Sequence, residues 1–568
     1  MDRILKPAHQ NDMRKTFILA GLAAAAVSLA LVSGCGNKPS SSFQTEDSFT
    51  FSETSCPRVK VAEGILEGSL ESGIKVFRGI PFAAPPTGEF RWKAPRSAEP
   101  WSGVREAKSF GPDPMQGNPF GDMNFGAAGR SEDCLYLNIW TPAKTPSQGL
   151  PSVIYFNGGG LYAGSGSEPR YAGESMAREG IISITANYRE GIFGFFAHPE
   201  LCAETSYGGS GNWGFLDQLA AIKWVHENIS AFGGDPGKIT IVGESAGSMS
   251  VSALMASPLC KGLFSKAMAS SGSVSSGPIP TQEEANALGV AKLEEMGVAD
   301  IAAARAMGAE ELLEKSNING VPTYNVDGYF FPEQPCDIYE KGLQNKVPLL
   351  AGRNSQEMPG LLLAARGIDS IEKVREALLP TFGDRTGEAM ELYGFKTDAD
   401  ISGRAGTEYA SDLFIAYATW HLGYIHAKTS GQPVYRYYYA HPRPAMRMQG
   451  VVAALAGGVQ KADPDAPAAP APAFNGAVHS ADIEYAMGTL PTNRVYDWQP
   501  EDFAVSAQFL AYYANFIKTG NPNGLGLVDW HPVNGREIPP MLVIDVDCRE
   551  VADENFEKKN MLWMEVHK

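Results

Sequence analysis

A short β-branched run, Ile239-Thr240-Ile241-Val242, leads directly into the pattern Gly243-Glu244-Ser245-Ala246-Gly247, and small residues follow it. The run predicts a buried strand and the small residues predict a helix, so the pattern falls at a tight strand-to-helix turn. Glycine on each side of the serine permits backbone angles and close packing that a side chain would obstruct. Such a turn presents Ser245 Oγ beside a helix N-terminus, where developing negative charge is stabilised. The stretch therefore predicts a strand-turn-helix unit with a reactive serine at the turn.

The Gly-x-Ser-x-Gly pattern alone is weak evidence, because 61 of the 568 residues are glycine and the pattern recurs by chance at that frequency. The surrounding sequence supports it by alternating strand-like and helix-like segments. Predicted strands cover residues 59–61, 64–68, 74–77, 135–140, 153–156, 181–186, 239–243, 347–352 and 434–439. Predicted helices cover residues 211–228, 246 to about 255, and most of 370–428. This alternation predicts an α/β fold with a mostly parallel central sheet flanked by helices, a short N-terminal β segment and helical and loop insertions.

Two proline-rich segments are predicted to be loops. Residues 78–86 contain three prolines and are interpreted as a loop that lines the surface. Residues 464–470, rich in proline and alanine, are interpreted as a mobile surface loop.

Composition narrows the class of partners. The chain is 44% hydrophobic and 20% charged, which is typical of a globular protein with a large core. Its 64 acidic and 47 basic residues give a net charge of −17. This charge argues against a surface that binds nucleic acid and against a polybasic surface that binds membranes. The cysteines after Cys35 are scattered, without a C-x-x-C pair or a histidine at metal spacing, so they do not predict a metal site. The sequence does not specify any disulfide pairing.

The N-terminal region predicts export. Met13-Arg14-Lys15 precedes an apolar run over residues 17–32 that is too short to span a membrane, and Val32-Ser33-Gly34-Cys35 follows. This arrangement resembles a bacterial lipoprotein signal, in which Cys35 becomes the lipidated N-terminus. The alternative is an ordinary signal peptide with a coincidental cysteine. The interpretation is a signal region over residues 1–34 with a true start near Met13, a lipidated Cys35 and flexible tether over 35–56, and one domain over 57–568. We expect an exported protein anchored by lipid to the bacterial cell envelope, at the outer membrane or the periplasmic face, or otherwise secreted.

From about residue 57 to the C-terminus, the chain resembles the type-B carboxylesterases, the α/β-hydrolase family that includes cholinesterases and bacterial para-nitrobenzyl esterases. The resemblance depends on several specific blocks in the expected order. These blocks are Phe77-Arg78-Gly79-Ile80-Pro81-Phe82-Ala83, Glu132-Asp133-Cys134-Leu135-Tyr136-Leu137-Asn138, Asn187-Tyr188-Arg189, Gly211-Asn212-Trp213-Gly214, Phe232-Gly233-Gly234-Asp235-Pro236 and the serine turn itself. The implied fold is the α/β-hydrolase fold.

The resemblance implies a catalytic triad of Ser245, Glu357 and His479. Ser245 is the nucleophile, His479 after a long loop is the base, and Glu357 just after a predicted strand orients the base. The order Ser, acid, His along the chain is that of the α/β-hydrolases. Each residue also has a non-catalytic alternative: Ser245 as a polar turn serine, Glu357 as a solvated loop glutamate and His479 as a structural histidine.

The resemblance also implies an oxyanion hole. Asn157-Gly158-Gly159-Gly160 follows a predicted strand, and its glycines allow backbone N–H groups to turn toward one point. The implied donors are the N–H groups of Gly159, Gly160 and Ala246; a merely flexible glycine loop is the alternative. The neighbouring acids Glu244 and Asp482 are interpreted as structural charges. Ser271-Gly272 resembles a family segment near the triad, and Ser271 is interpreted as a packed serine.

The chain departs from the family pattern at four places. Many relatives have histidine where Asn157 stands and leucine where Glu190 stands. Pro114 occupies the position of a cysteine that bonds the one matching Cys134, so that loop disulfide is expected to be absent. Asn124-Phe125 lies where cholinesterases carry a choline-stacking tryptophan, so choline specificity is not supported.

The implied function is a serine carboxylesterase that hydrolyses small-molecule esters through an acyl-Ser245 intermediate without a cofactor. Two other functions remain open at this stage. One is a non-catalytic hydrolase-fold protein for binding or adhesion, and the other is a lipase, thioesterase or peptidase with the same triad. The choice of acyl and leaving groups is expected to lie in loops around residues 110–130, 320–330 and 360–475. Neither the natural ester nor the oligomeric state can be read from the sequence.

Overall fold

A computed structural model of the chain describes residues 56–317, 324–453, 458–462 and 474–566. The predicted signal region, Cys35, the tether up to residue 55 and the loop over residues 464–470 lie outside the described residues. The strands within the described ranges are β1 Arg58–Val61, β2 Gly64–Glu67, β3 Ser69–Glu71, β4 Ile74–Pro81, β5 Val104–Glu106, β6 Asp113–Pro114, β7 Arg130–Ser131, β8 Tyr136–Thr141, β9 Leu150–Phe156, β10 Ile182–Ala186, β11 Gly234–Glu244, β12 Lys266–Ser270, β13 Leu349–Asn354, β14 Val434–Tyr439, β15 Val451–Ala453, β16 Val459–Lys461, β17 Pro540–Ile544 and β18 Arg549–Ala552.

The α-helices within the same ranges are α1 Glu174–Arg178, α2 Gly191–Gly194, α3 Pro199–Ala203, α4 Trp213–Asn228, α5 Ala246–Ala256, α6 Gln282–Met296, α7 Ile301–Ala306, α8 Ala309–Ser316, α9 Pro335–Glu340, α10 Leu361–Ala365, α11 Ile371–Phe382, α12 Thr386–Tyr393, α13 Ala399–Ser402, α14 Arg404–Ser411, α15 Tyr417–Thr429, α16 Ile483–Met487, α17 Pro500–Thr519 and α18 Glu554–Val566. A single π-helical turn over Asp412–Ala416 joins α14 to α15. None of the helices in the described ranges combines the length and the apolar character that a membrane span requires.

Eleven of the described strands form one large sheet in the order β3-β4-β8-β10-β9-β11-β12-β13-β14-β17-β18. Its central strands, from β10 to β17, run parallel, whereas the pairs at both edges are antiparallel. A small separate sheet, β1-β2-β5, lies in the N-terminal part. The predicted α/β class, with a mostly parallel sheet and a short N-terminal β segment, is confirmed.

The parallel strands are covered on both faces, which explains their continuous apolar sequences. Along β9, Ile154 and Phe156 pack into a core shared with helices α4 and α5, while Val153 and Tyr155 pack into a second core shared with α17. This alternation follows from the two-residue period of a strand. Burying each such side chain contributes about 1.5–3 kcal/mol, so both helix layers are held firmly against the sheet.

The prediction of a surface loop over residues 78–86 is wrong for its first half. Strand β4 continues to Pro81 because its backbone pairs with β8, placing Ile80 opposite Leu137. The register shifts between Phe77 and Ile80, where Gly79 has a φ of 68° and donates its N–H to a side-chain oxygen at 3.0 Å. Pro81 is tolerated because it stands at the strand end, where a missing N–H costs little. The residues that follow, 82–84, are buried as well.

Candidate active site

Ser245 lies at the sharp turn between β11 and α5. Its backbone has a φ of 58° and a ψ of −122°, a strained conformation for a residue with a side chain. The two flanking glycines make the turn possible, because a Cβ on Gly243 would lie 2.3 Å from Gly247 and one on Gly247 would lie 2.1 Å from the Phe156 carbonyl oxygen. The sequence pattern at residues 243–247 thus reflects steric necessity at both glycines.

The three predicted triad residues meet at the carboxyl edge of the sheet. Glu357 follows β13 and His479 lies in the segment before α16, so strands β11 and β13 bring Ser245 and Glu357 to the same edge. His479 Nε2 is 3.0 Å from Ser245 Oγ, and His479 Nδ1 is 2.6 Å from Glu357 Oε2. Glu357 is fully buried and His479 is nearly so. The hydroxyl, imidazole and carboxylate therefore form one continuous chain of hydrogen bonds.

Other polar groups fix Glu357 in place. Ser271 Oγ and the Asn354 N–H both donate to Glu357 Oε1, at 2.5 Å and 2.6 Å. Ser271 is packed, as predicted from the sequence, but it also contacts the acid, which the sequence analysis missed. The resemblance of Ser271-Gly272 to a family segment near the triad was the available signal. Asp482 accepts hydrogen bonds from Asn354 and from a tyrosine hydroxyl. Burial, together with the nearby Glu357, raises the pKa of Asp482 to about 6.

Glu244, directly before the nucleophile, also faces the imidazole. Its Oε1 accepts a hydrogen bond from Ser480 Oγ at 2.8 Å and is 3.4 Å from His479 Nε2. Burial raises the pKa of Glu244 to about 7. Burial by itself lowers the pKa of His479, but the Coulombic effect of Glu244 and the hydrogen bond to Glu357 outweigh it and raise that pKa to about 9. The imidazolium form is thus strongly stabilised here.

Residues 158–160, which we call the oxyanion loop, lie directly against the serine. A Cβ on Gly158 would lie 3.1 Å from Ser245 Cβ, and Gly159 and Gly160 have φ values of 116° and 70°. These backbone conformations favour glycine. Ala246 is the first residue of α5, so its N–H has no partner within the helix. The oxyanion loop and Ala246 line the same cavity as Ser245 and His479.

This cavity has a volume of about 330 Å³ and a mainly apolar wall. Its lining includes Phe120, Met123, Met249, Phe414 and Ile415. The predicted specificity loops around residues 110–130 and 360–475 therefore contribute to it. In the third predicted loop the structure describes residues 324–330, and none of these lines the cavity. The π-helical turn places Phe414 with its ring edge-on to the His479 ring, 5.1 Å between centroids.

Cys134 is a buried thiol that forms no disulfide, and burial raises its pKa well above the ordinary value. Within the described ranges, no three His, Cys, Asp or Glu side chains are arranged to hold a metal ion. The polar groups at the cavity include the Ser245 hydroxyl, the His479 imidazole, the Glu244 carboxyl group and backbone N–H groups.

Comparison with known proteins matches residues 55–563 to the carboxylesterase family model. The fumonisin B1 esterase of Sphingopyxis macrogoltabida is 38% identical over 389 residues, covering 65% of this chain and 70% of that protein. The para-nitrobenzyl esterase of Bacillus subtilis is 32% identical over 521 residues, covering 88% of this chain and 97% of that protein. The solved structure of the carboxylesterase EST55 of Geobacillus stearothermophilus superposes with a TM-score of 0.74 at 28% identity, covering 89% of this chain and 99% of that one.

Proposed function

This chain belongs to the carboxylesterase family and is a carboxylic ester hydrolase, and we propose that Ser245, His479 and Glu357 carry out the hydrolysis. The observation that supports this assignment is the pair of contacts at His479, 3.0 Å to Ser245 Oγ and 2.6 Å to Glu357 Oε2. A nucleophile, a base and an orienting acid joined in this order are what acyl transfer requires.

In the first half-reaction, Ser245 Oγ attacks the carbonyl carbon of the ester while His479 Nε2 accepts the hydroxyl proton. The carbonyl oxygen becomes an oxyanion, which the N–H groups of Gly159, Gly160 and Ala246 stabilise, each worth about 3 kcal/mol of barrier. The tetrahedral intermediate collapses, the alcohol leaves with the proton from His479, and an acyl-Ser245 ester remains. Glu357 keeps the proton on Nδ1, so that Nε2 is free to accept.

In the second half-reaction, a water molecule attacks the acyl carbon and His479 accepts its proton. Collapse of the second intermediate returns the proton to Ser245 Oγ and releases the carboxylic acid. The apolar wall formed by Met249, Phe414 and Ile415 favours a neutral, apolar acyl group. A non-catalytic binding protein would need none of the contacts at His479, so we favour the enzyme.

A panel of nitrophenyl esters of increasing acyl length tests this function. We expect release of nitrophenol, with kcat/KM rising with acyl length until the 330 Å³ cavity is filled and falling beyond that. A serine-reactive phosphonate should abolish all of this activity and should add one label, on Ser245. Labelling of another serine would contradict the assignment. Matched thioesters and long-chain glycerides in the same panel separate an esterase from a thioesterase or a lipase.

The pH profile tests the role of Glu244. Only neutral His479 accepts the serine proton, and because the pKa of His479 is raised to about 9, kcat/KM should rise with pH through an alkaline midpoint. Glu244, with a pKa of about 7, is ionised there. Glu244→Gln removes its negative charge, so the pKa of His479 falls and the midpoint should move down by roughly one pH unit. The exposed Glu388→Gln is the control and should not shift it. An unchanged midpoint in Glu244→Gln would show that Glu244 does not stabilise the imidazolium.

We also propose that the protein is exported and anchored through a lipid on Cys35, on the basis of the signal-like pattern before that residue. Mass spectrometry of protein extracted from intact bacterial membranes should find diacylglycerol on Cys35 as the mature N-terminus. Cys35→Ser should move the activity out of the membrane fraction, whereas Cys336→Ser, a cysteine of the folded domain, should not. A mature N-terminus elsewhere, without lipid, would refute the anchor.

A further inference from the structure

Two of the residues that depart from the family pattern contact each other beneath the oxyanion loop. Asn157 and Glu190 are 1% and 0% exposed. Asn157 Nδ2 donates to Glu190 Oε1 at 3.0 Å and to the carbonyl oxygen of Gly158, also at 3.0 Å. One amide group therefore connects Glu190 to the first residue of the oxyanion loop.

The segment that carries Glu190 also supports the loop through two other hydrogen bonds. The Tyr188 hydroxyl donates to the Asn157 carbonyl oxygen at 2.9 Å, and the Gly191 N–H donates to the Leu161 carbonyl oxygen at 2.7 Å. Residues 188–191 thus contact the chain on both sides of the oxyanion loop. The backbone after the oxyanion loop packs closely on the Asn157 amide, since a Cβ on Gly164 would lie 1.9 Å from Asn157 Nδ2. Asn157 consequently has little freedom to adopt another side-chain conformation.

The same two side chains each carry a buried oxygen without a hydrogen-bond partner among the described residues, Asn157 Oδ1 and Glu190 Oε2. Leaving buried polar atoms unpaired is costly. A proton on Glu190 Oε2 would satisfy both, because it would turn that oxygen into a donor for Asn157 Oδ1. The acid and the amide would form a reciprocal pair: Nδ2–H to Oε1 in one direction and Oε2–H to Oδ1 in the other.

The surroundings of Glu190 favour this neutral acid. Burial raises the pKa of Glu190 well above its ordinary value of 4.5, against the smaller opposing effects of the polar groups of Asn157 and Tyr188. The other groups nearby that titrate are Tyr188 and Cys134, and burial raises the pKa of both, so they are neutral too. Arg189 is the adjacent cation, but its guanidinium is bound to a buried aspartate at 2.7 Å.

We propose that Glu190 is a positioning residue: as a neutral acid it holds Asn157 and, through Asn157, keeps the oxyanion loop in place against Ser245. The inference depends on the proposed function, because it gives residues 158–160 the role of oxyanion donors. Ionisation of Glu190 at high pH removes the O–H donor and places a carboxylate against Asn157 Oδ1. The pair then breaks, the loop loosens and transition-state stabilisation falls.

Two variants of nearly equal size test the proposal. Glu190→Gln keeps one acceptor and one donor for Asn157 without a titrating proton, and should retain kcat within about threefold. Glu190→Met keeps the length but makes neither hydrogen bond, and kcat should fall about 10- to 100-fold, with KM changed much less, because the loop acts on the transition state. In the wild type, kcat should fall at alkaline pH as Glu190 ionises, and in Glu190→Gln this loss should be absent.

Infrared spectroscopy provides a readout that does not require turnover. Glu244 and Asp482 have pKa values of about 7 and about 6. At a pH above both, the wild type should retain a carboxylic acid C=O band that Glu190→Gln lacks. Absence of this band difference would overturn the proposal. The infrared comparison does not depend on Glu190→Met, so it remains decisive if that variant does not fold. Equal kcat in Glu190→Met and wild type, or equal losses in the Met and Gln variants, would overturn it as well. Turnover by Ser245→Ala would instead refute the proposed function.

Discussion

Ser245→Ala should eliminate ester hydrolysis while leaving the fold intact. Without Oγ no acyl-enzyme forms, and the loss in kcat should be on the order of 10⁶-fold. The oxyanion loop and the cavity remain, so a residual rate above that in water is expected. The structure predicts little loss of stability, because the change removes one oxygen atom at the cavity and leaves the strained backbone of residue 245 unchanged. The measurements are kcat with a nitrophenyl ester, labelling by the phosphonate, and the unfolding temperature.

Ser265→Ala is the matched control for this variant. Ser265 precedes β12, and its hydroxyl donates to the carbonyl oxygen of Ile239, in the middle of the neighbouring strand β11 and away from Ser245. The substitution Ser265→Ala also removes a single serine hydroxyl and should leave turnover unchanged. Wild-type activity in Ser245→Ala would show that the turn serine is not the nucleophile, whatever the family.

Glu357→Gln should lower kcat by about 10⁴-fold with a small effect on KM. The amide of glutamine presents an N–H group to His479 Nδ1 and favours the tautomer whose proton is on Nε2, which cannot accept the serine proton. Loss of the carboxylate also removes an anion 2.6 Å from the ring, so the remaining activity should have its pH midpoint below that of the wild type. Kinetics across pH, with Glu388→Gln as the exposed control, provides the measurement.

Asp482→Asn identifies which buried acid orients the base. Asp482 contacts Asn354 and a tyrosine, and no hydrogen bond joins it to His479 in the described chain, so its effect on kcat should be much smaller than that of Glu357→Gln. Near wild-type turnover in Glu357→Gln with a large loss in Asp482→Asn would transfer the orienting role to Asp482.

The sequence by itself determined the features that depend on local structure. Strands β9, β10, β13 and β14 were predicted from their apolar sequences. Strands that are buried on both faces are apolar along most of their length. The turn at Ser245 was predicted from the Gly-x-Ser-x-Gly pattern between a strand and a helix. The structure gives the reason for both glycines, since a Cβ on Gly243 would lie 2.3 Å and one on Gly247 2.1 Å from neighbouring backbone atoms. The oxyanion loop and the order of Ser245, Glu357 and His479 came from family resemblance. Ser245 and Glu357 meet because β11 and β13 are parallel strands that end at one edge of the sheet.

Tertiary structure alone decided the features that depend on contacts between distant segments. The pairing of Ile80 and Pro81 with β8 overrode the proline content of their segment, and the bond from Ser271 to Glu357 joins residues 86 positions apart. Asn157 and Glu190, 33 positions apart, were two separate departures from a pattern until the fold placed one against the other. Tertiary structure also decides the protonation states, because the pKa values of Glu190, Glu244 and His479 are set by burial and by neighbouring charges. Those neighbours come from several strands and loops, and only the folded chain brings them together.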